Sequence, residues 1–344
     1  MSKTIKTLFA MFLIANIILF SDKITTAAYN SLYLWFNVLI PALFPFMVIS
    51  SWLDFGSIKM PAFINRICIY LFGVKSNLIP VFLISFLCGY PVGAKIISQM
   101  YSDKKISVDT AEHLLSFCNN PGVVLIISVV STSMLSDQNA ALFFIIICVF
   151  SSLLTAIIYN RVFPLVHSAN THLKTKSSSQ ITLYSSISSA VKSILIVGGC
   201  IIFFSVISEI VLNLIPLDSQ YIKGIISGIL EFINGMKQIS SSNIDRNFMY
   251  SIIAAILSWG GLSVHLQTSM VMENNGISIK KYMICKALSS FISFITAFFT
   301  YEKYFSKIQT TPVFNHIQTP MPILLISIII STVIFLFCPR KKSN

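Results

Sequence analysis

Helix-breaking residues and a lysine lie inside apolar sequence that is long enough to cross a membrane. Gly89, Pro91 and Gly93 interrupt the stretch Cys-Gly-Tyr-Pro-Val-Gly-Ala-Lys, which ends at Lys95. The glycines permit close backbone approach and the proline removes a helix hydrogen bond, so freed carbonyls and a half-helix N-terminus face a cavity. With Tyr90, these residues form a candidate substrate-binding site for a polar solute. The alternatives are a packing kink and a Lys95 that reaches the membrane surface.

A second break follows in the same half of the chain. Asn119 and Asn120 precede Pro121 and Gly122, with apolar sequence on both sides. Each asparagine amide carries donors and an acceptor, which suits recognition of the polar edge of a nucleobase or a sugar. Both asparagines therefore join the candidate site. The alternative is a turn at a helix end just outside the membrane.

The second half of the chain holds further ionisable candidates. Glu231 and His265 each lie in apolar sequence beside glycines. A buried Glu–His pair relays protons or neutralises a coupling ion, either H+ or Na+. The alternatives are a structural buried pair and a glutamate at a water-facing helix end. The other second-half members of the candidate site surround His265: Gly260, Gly261, Ser263 and Gln267.

Polar residues between the two breaks of the first half indicate the start of a helix. Ser107 or Asp109 is predicted to cap the following helix, with Glu112 three residues after Asp109 in a capping-box position. We therefore assign Glu112 and His113 to helix capping and leave them out of the candidate site.

The composition of the chain is that of a membrane protein. The 344 residues are 55% hydrophobic and 10% charged, with a mean hydropathy of +0.81. Soluble domains carry about 25% charged residues. The net charge of +12 comes from basic residues in short stretches between apolar runs, which indicates cytoplasmic loops and excludes a nucleic-acid partner.

Motifs for catalysis or for a bound metal are missing from the sequence. The seven cysteines are dispersed without a CxxC pair, and the five histidines do not cluster. The sequence thus predicts neither a disulfide framework nor a metal or cofactor site. It contains no GxSxG, P-loop, HExxH or Rossmann pattern, which argues against an enzyme.

The chain divides into five parts. An N-terminal helix (1–28) is expected to remain as a signal anchor, with a cleaved signal peptide as the alternative. The first repeat covers 29–160 and the second covers 193–339. The basic connection 161–192 is predicted to be cytoplasmic, and a basic tail covers 340–344.

The predicted fold is an all-α polytopic membrane protein in the lipid bilayer of the cell membrane. Its apolar runs predict about eight to ten spans, some of them broken or re-entrant. Pro41 and Pro45 predict either one kinked span or a re-entrant hairpin. A homo-oligomer is compatible with the sequence.

A weak internal symmetry relates the two halves. Gly89 and Ile106 lie 171 residues before Gly260 and Ile277. Interrupted apolar segments at matching places in two halves point to a transporter-type binding site between the repeats. If each half crosses the membrane an odd number of times, the two repeats are inverted.

Four motifs occur in a fixed order: Phe44-Pro45-Phe46, the stretch from Cys88 to Lys95, the stretch from Phe117 to Gly122, and the stretch from Gly260 to Gln267. Together they resemble the YlbJ-type sporulation integral membrane proteins, over most of the chain. That family falls in the nucleoside-recognition, or Gate-domain, group, which also includes the concentrative nucleoside transporters. The resemblance implies two Gate-type repeats and a role in spore cortex formation.

Two shorter stretches are similar to concentrative nucleoside transporters. Leu230-Glu231-Phe232 resembles their Asn-Glu-Phe segment, in which the glutamate contacts the nucleoside ribose. The stretch from Leu262 to Gln267 resembles their Phe-Ser-Ser-Ile-Gly-Ile-Gln segment. This chain departs from both, with Leu230 in place of the asparagine and His265 in place of a small residue.

The sequence therefore predicts a transporter-like integral membrane protein. It binds or moves a small polar solute, either nucleoside-like or a cell-wall precursor, during spore cortex formation. The alternative is a non-transporting membrane scaffold for spore-envelope assembly.

Overall fold

The computed structural model describes residues 3–50, 61–165, 182–215, 218–272 and 276–309. These residues form α-helices joined by short π-helical and 3-10 segments, and no strand occurs among them. The helices are α1 (Lys3–Leu19), α2 (Ser21–Leu34), α3 (Ile40–Ser50), α4 (Ala62–Phe72), α5 (Ile79–Cys88), α6 (Val92–Ser102), α7 (Val108–Leu115), α8 (Val123–Leu125), α9 (Asn139–Val162), α10 (Leu183–Leu214), α11 (Gln220–Leu230), α12 (Phe232–Ser240), α13 (Arg246–Trp259), α14 (Gly261–Val271) and α15 (Ile279–Gln309).

Membrane-length helices confirm the predicted all-α, multi-pass fold. In the part of the chain that the structure describes, five helices are long and apolar enough to span a bilayer: Ser21–Ser50, Asn139–Val162, Leu183–Leu214, Arg246–Val271 and Ile279–Ser306. The pair α4–α5, bent by 77°, makes a sixth if it counts as one span.

Within the described residues, five or six helices have membrane length, whereas the sequence predicted about eight to ten spans for the whole chain. Three of the segments counted as spans, 78–100, 107–135 and 223–237, form shorter helices that are separated by breaks. Helix-breaking residues divide these segments, so their length in sequence does not become length across the bilayer. The predicted last span (321–338) and the basic tail lie outside the described residues.

The N-terminal proline segment forms part of one span. Helices α2 and α3 are joined by the π-helical segment Trp35–Leu39, and the whole helix Ser21–Ser50 has 30 residues. Pro41 and Pro45 both lie within α3. Of the two predicted alternatives, the structure has the single span, with the irregular turn just before the prolines. Helix α2 also runs through residue 28 without interruption.

Two pairs of short helices fold back on themselves. A Cβ on Gly93 of α6 would lie 2.8 Å from the Ser85 side chain of α5, although eight residues separate the two. In a continuous helix, that separation is about 12 Å along the axis. Gly235 of α12 likewise packs directly on Gly228 of α11. These helical hairpins, α5–α6 and α11–α12, each place a chain break at their tip.

Two further helices are interrupted, but the parts on either side of each break do not form a hairpin. Helices α7 and α8 are separated by the non-helical residues around Asn119 and Asn120. Helix α13 ends at Trp259, and Gly260 and Gly261 take left-handed φ values of +82° and +77° before α14 continues. Glycine adopts such φ values without the steric cost that a Cβ imposes.

The connection between the two halves is shorter than predicted from composition. Helix α9 ends at Val162 and α10 begins at Leu183, so Lys192 belongs to a helix. The middle of this connection, 166–181, lies outside the described residues. Helix α10 then packs against α2 and α3, which surrounds the hairpins with long helices.

Candidate functional site

The four chain breaks meet at one place, which we name the four-break crossing. A Cβ on Gly89 would lie 2.7 Å from the backbone nitrogen of Gly122, so the first two breaks are in backbone contact. A Cβ on Gly261 would lie 3.0 Å from the backbone nitrogen of Phe232, so the last two breaks touch as well. Glycine is required where two backbones approach this closely.

Tyr90 joins the two pairs of breaks. Its hydroxyl donates a hydrogen bond of 2.5 Å to the carbonyl oxygen of Leu257, and its ring packs edge-on against Phe232 with centroids 5.7 Å apart. A Cβ on Gly260 would lie 3.3 Å from the Tyr90 ring. The Tyr90 side chain therefore connects the first hairpin to the second half of the chain.

A small cavity lies at the crossing. Its volume is about 20 Å³, which is room for about one water molecule. Gly89, Tyr90, Gly122 and Gln267 line it, and the other lining side chains are apolar. The cavity is thus too small for a larger solute in this conformation, and binding one requires the helices around it to separate.

A buried polar cluster lies beside the cavity, and we name it the Asn119 cluster. Its members are Asn119, Asn120, Thr268, Tyr282 and Lys286. The Asn119 amide nitrogen donates to the Thr268 hydroxyl at 2.9 Å and to the Tyr282 hydroxyl at 2.8 Å. The Asn119 side-chain oxygen is buried and accepts no hydrogen bond. This acceptor is therefore open to a ligand or to a water molecule.

Asn120 occupies the other side of the cluster. Its amide nitrogen donates to the Phe117 carbonyl at 2.6 Å, and its side-chain oxygen accepts from the Ser152 hydroxyl at 2.7 Å. Asn119 and Asn120 are both fully buried. The break at Asn119 and Asn120 is therefore buried in the protein, as predicted, and is not an exposed turn at a helix end.

Lys286 is the main residue that sequence reasoning missed. Its ammonium donates to the carbonyl oxygen of Asn119 at 3.0 Å and lies 3.5 Å from the Asn120 side-chain oxygen. It also lies 5.9 Å from the centre of the Tyr90 ring. The side chain is 1% exposed, and among the described residues no carboxylate lies within ion-pair distance of it.

The signal for Lys286 was present in the sequence. The residue follows Tyr282-Met283-Ile284-Cys285 in an apolar run, which is the same pattern that drew attention to Lys95. The Lys95 ammonium instead donates to the Ser189 carbonyl at 3.2 Å and to the Ser193 hydroxyl at 3.1 Å, both in α10. Lys95 therefore connects the first hairpin to α10, and its ammonium is directed to Ser189 and Ser193 and not to the Asn119 cluster.

His265 packs against the Asn119 cluster. It is 3% exposed, and neither ring nitrogen has a hydrogen-bond partner. Its ring lies edge-on to Trp259 and to Tyr282, with centroids 4.2 Å and 5.2 Å apart. The hydroxyl of Ser263, two residues before, is also buried without a partner.

Glu231 has a capping role at the tip of the second hairpin. Its carboxylate accepts from the backbone N–H groups of Ile233 at 3.2 Å and Asn234 at 2.8 Å, which caps α12. Glu231 is fully buried, and it forms no hydrogen bond with His265, whose nitrogens are unpaired. The predicted direct Glu–His pair is therefore not formed in this conformation.

Pro91 and Gly93 shape the first hairpin and contribute no side chain to the cluster. The peptide bond between Tyr90 and Pro91 is cis, and the Pro91 carbonyl accepts from the Lys95 backbone N–H at 3.0 Å. Gly93 packs directly against the Cys118 carbonyl. A side chain at position 93 would push α6 away from the Asn119 break.

Ser107 caps α7 as predicted, whereas Glu112 does not form the predicted capping box. The Ser107 hydroxyl accepts from the Thr110 backbone N–H at 3.2 Å. The Glu112 carboxylate instead accepts from the Ser278 backbone N–H at 2.9 Å and pairs with the Lys281 ammonium at 2.5 Å. The prediction failed because both partners are more than 160 residues away in the chain.

The comparisons with known proteins agree with the fold. The chain is 26% identical over 318 residues to the sporulation integral membrane protein YlbJ of Bacillus subtilis (strain 168), which covers 81% of this chain and 78% of the relative. This chain is a multi-pass membrane protein related to YlbJ. No family model matches the chain, and no solved structure matches it. The predicted resemblance to YlbJ-type proteins is confirmed, and the wider resemblance to Gate-domain transporters stays a prediction.

Proposed function

We propose that this protein is a transporter that moves a small, negatively charged polar solute across a membrane during spore formation, without a chemical reaction on the solute. One observation carries the proposal: the Lys286 ammonium is buried and has no carboxylate partner among the described residues. A buried charge without a counter-ion is costly in a protein interior. An anionic solute would supply the missing counter-ion.

The Asn119 cluster offers further groups that suit such a solute. The side-chain oxygen of Asn119 and both ring nitrogens of His265 are unpaired. The Asn119 oxygen accepts a hydrogen bond from a donor on the solute, and a neutral His265 ring offers one donor and one acceptor. Gln267 and Tyr90 line the adjacent cavity. A coupling H+ would bind His265, because its imidazole is titratable and neither ring nitrogen has a hydrogen-bond partner.

The choice between the two predicted solute classes follows from charge. A neutral nucleoside leaves Lys286 uncompensated, whereas many cell-wall precursors carry acidic groups. Glu231, the counterpart of the ribose-contacting glutamate of nucleoside transporters, uses its carboxylate to cap α12. These contacts favour an acidic solute.

The helix order supports the proposed pair of Gate-type repeats, in a different register from that first predicted. Both halves contain a hairpin, then an interrupted helix, then a long helix. The first residues of the corresponding helices are 138–141 positions apart: Ile79 and Gln220, Val92 and Phe232, Val108 and Arg246, Val123 and Gly261, Asn139 and Ile279. This register pairs the Gly89 break with Glu231, and the Asn119 break with Gly260, in place of the offset of 171.

The name of the YlbJ relative describes a sporulation protein. By this similarity we extend the proposal to a role in sporulation. In a spore-forming cell the transporter would lie in a membrane that the solute must cross during assembly of the spore.

The test is uptake and binding with the purified full chain in proteoliposomes. The panel contains small carboxylates, phosphorylated sugars, amino sugars and neutral nucleosides of similar size. We expect saturable uptake of at least one acidic solute, lost in Lys286→Met and kept in Lys280→Met, which alters an exposed lysine of the same helix.

Two results would contradict the proposal. One is the absence of binding and uptake for every acidic compound by folded wild-type protein. The other is equal uptake by wild type and Lys286→Met. If, in addition, sporulation fails only when the connection 163–182 is altered, the scaffold alternative replaces the transporter.

A further inference from the structure

The first half of the chain holds the beginning of α15 through one acidic side chain. The Glu112 carboxylate accepts from the Ser278 backbone N–H at 2.9 Å and pairs with the Lys281 ammonium at 2.5 Å. Glu112 is 8% exposed and Lys281 is 43% exposed. Since Glu112 lies in α7, this contact ties the helix that leads into the Asn119 break to the helix that carries Lys286.

The first half also holds the other end of α15 and the start of α13. The Tyr250 hydroxyl of α13 donates to the Asp137 carboxylate at 2.8 Å. The Tyr304 hydroxyl of α15 donates to the Asn139 carbonyl at 3.3 Å. Asp137 and Asn139 both lie at the turn where α9 begins.

These two sets of contacts lie near opposite ends of α9, a helix long enough to cross a membrane. Asn139 is the first residue of α9, and the Lys281 ammonium lies 5.9 Å from the ring of Phe163, just beyond the last residue of that helix. With 24 residues, α9 is about 36 Å long, enough to cross the hydrocarbon core. The Glu112 contacts are thus on the side of the 163–182 connection, and the Asp137 contacts are on the far side.

We propose that these contacts are a pair of latches that control access to the four-break crossing from either side. The near latch is Glu112 with Ser278 and Lys281, and the far latch is Asp137 with Tyr250 plus Asn139 with Tyr304. Both sets of contacts are formed here, and the cavity at the crossing, with a volume of about 20 Å³, is too small for a larger solute. Opening the near latch lets α7 move away from α15 and admits water to the Asn119 cluster from that side only.

This inference rests on the proposed function, since it assigns the gates of that same site. Because the experiment needs no solute, the latch proposal and the proposed transport function can be refuted independently of each other. Cys118 is the reporter because it is fully buried beside Asn119. The full chain in sealed vesicles of either orientation is treated with a membrane-impermeant maleimide, and mass spectrometry measures the alkylation rate of Cys118.

We expect Glu112→Gln to raise the Cys118 rate about tenfold from the near side and to leave the far-side rate unchanged, because the neutral amide loses the ion pair with Lys281 that holds α7 to the start of α15. Lys281→Gln, at a half-exposed position, should act in the same direction more weakly. The exchange Glu112→Lys with Lys281→Glu should restore slow labelling only in part, because it restores the ion pair but leaves the Ser278 backbone N–H without its acceptor.

The far latch has its own variant. Tyr250→Phe combined with Tyr304→Phe should raise the Cys118 rate from the far side only. The matched control is Asp103→Asn, which breaks an exposed pair with Lys105 at 3.5 Å and should change neither rate. Unchanged labelling in Glu112→Gln and Lys281→Gln, or labelling that rises equally from both sides, would overturn the proposal.

Discussion

Lys286 gives the sharpest prediction, because a structural role and a solute-binding role predict opposite results. In Lys286→Met the side chain loses its charged terminal nitrogen and keeps an unbranched chain one atom shorter. The Asn119 carbonyl loses the donor that lies 3.0 Å away, whereas the Asn120 side-chain oxygen keeps its bond from Ser152.

The effect on stability follows from two opposing terms. One buried carbonyl without a partner costs about 1–3 kcal/mol. Removing an unpaired buried charge returns a desolvation penalty of several kcal/mol. We therefore expect the thermal unfolding midpoint of Lys286→Met in detergent to equal or exceed that of the wild type.

The effect on binding has the opposite sign. A hydrogen bond between the ammonium and an anionic solute contributes about 1.5–3 kcal/mol. This corresponds to an affinity loss of about 10- to 150-fold in Lys286→Met. Equilibrium binding of the acidic solute identified by uptake measures it, with Lys280→Met as the control. A lower unfolding midpoint together with unchanged affinity would refute the reasoning and make Lys286 a structural residue.

Three further substitutions test the crossing. Gly261→Ala should lower the free energy of unfolding by about 1–3 kcal/mol in a thermal or denaturant assay. The reason is that Gly261 has a φ of +77° and that an added Cβ would lie 3.0 Å from the backbone nitrogen of Phe232. The control Gly199→Ala should not lower it, because open space surrounds Gly199. Glu231→Ala should lower the free energy of unfolding by about 1 kcal/mol, because the α12 cap is lost, and Glu231→Gln should lower it less. Equal unfolding midpoints for both variants and the wild type would argue against the capping role. His265→Phe should leave the unfolding midpoint within about 0.5 kcal/mol of wild type, since no hydrogen bond is lost, while it removes any dependence of uptake on an H+ gradient. Retained H+ dependence would exclude His265 as the coupling group.

The positions of the chain breaks could be predicted from the sequence because their causes are local. Glycine and proline at 89 and 91, and two consecutive glycines at 260 and 261, interrupt a helix whatever they later contact. The membrane class followed in the same way from composition. The N-cap at Ser107 is likewise a property of a few neighbouring residues.

The contacts between breaks could not be predicted, because they join distant parts of the chain. The bond from Lys286 to Asn119 spans 167 positions, and no local pattern indicates it. Glu112 was assigned to a nearby cap for the same reason.

The lone charge of Lys286 has an electrical consequence. An elementary charge that crosses the whole membrane field exchanges about 2.3 kcal/mol per 100 mV. In the proposed transporter, a solute with one negative charge would neutralise Lys286, so the loaded protein would rearrange with little sensitivity to voltage. The empty protein would carry a net positive charge at the crossing, and the membrane potential would drive or oppose its return. Uptake measured against an imposed potential therefore reports the charge of the returning, unloaded form.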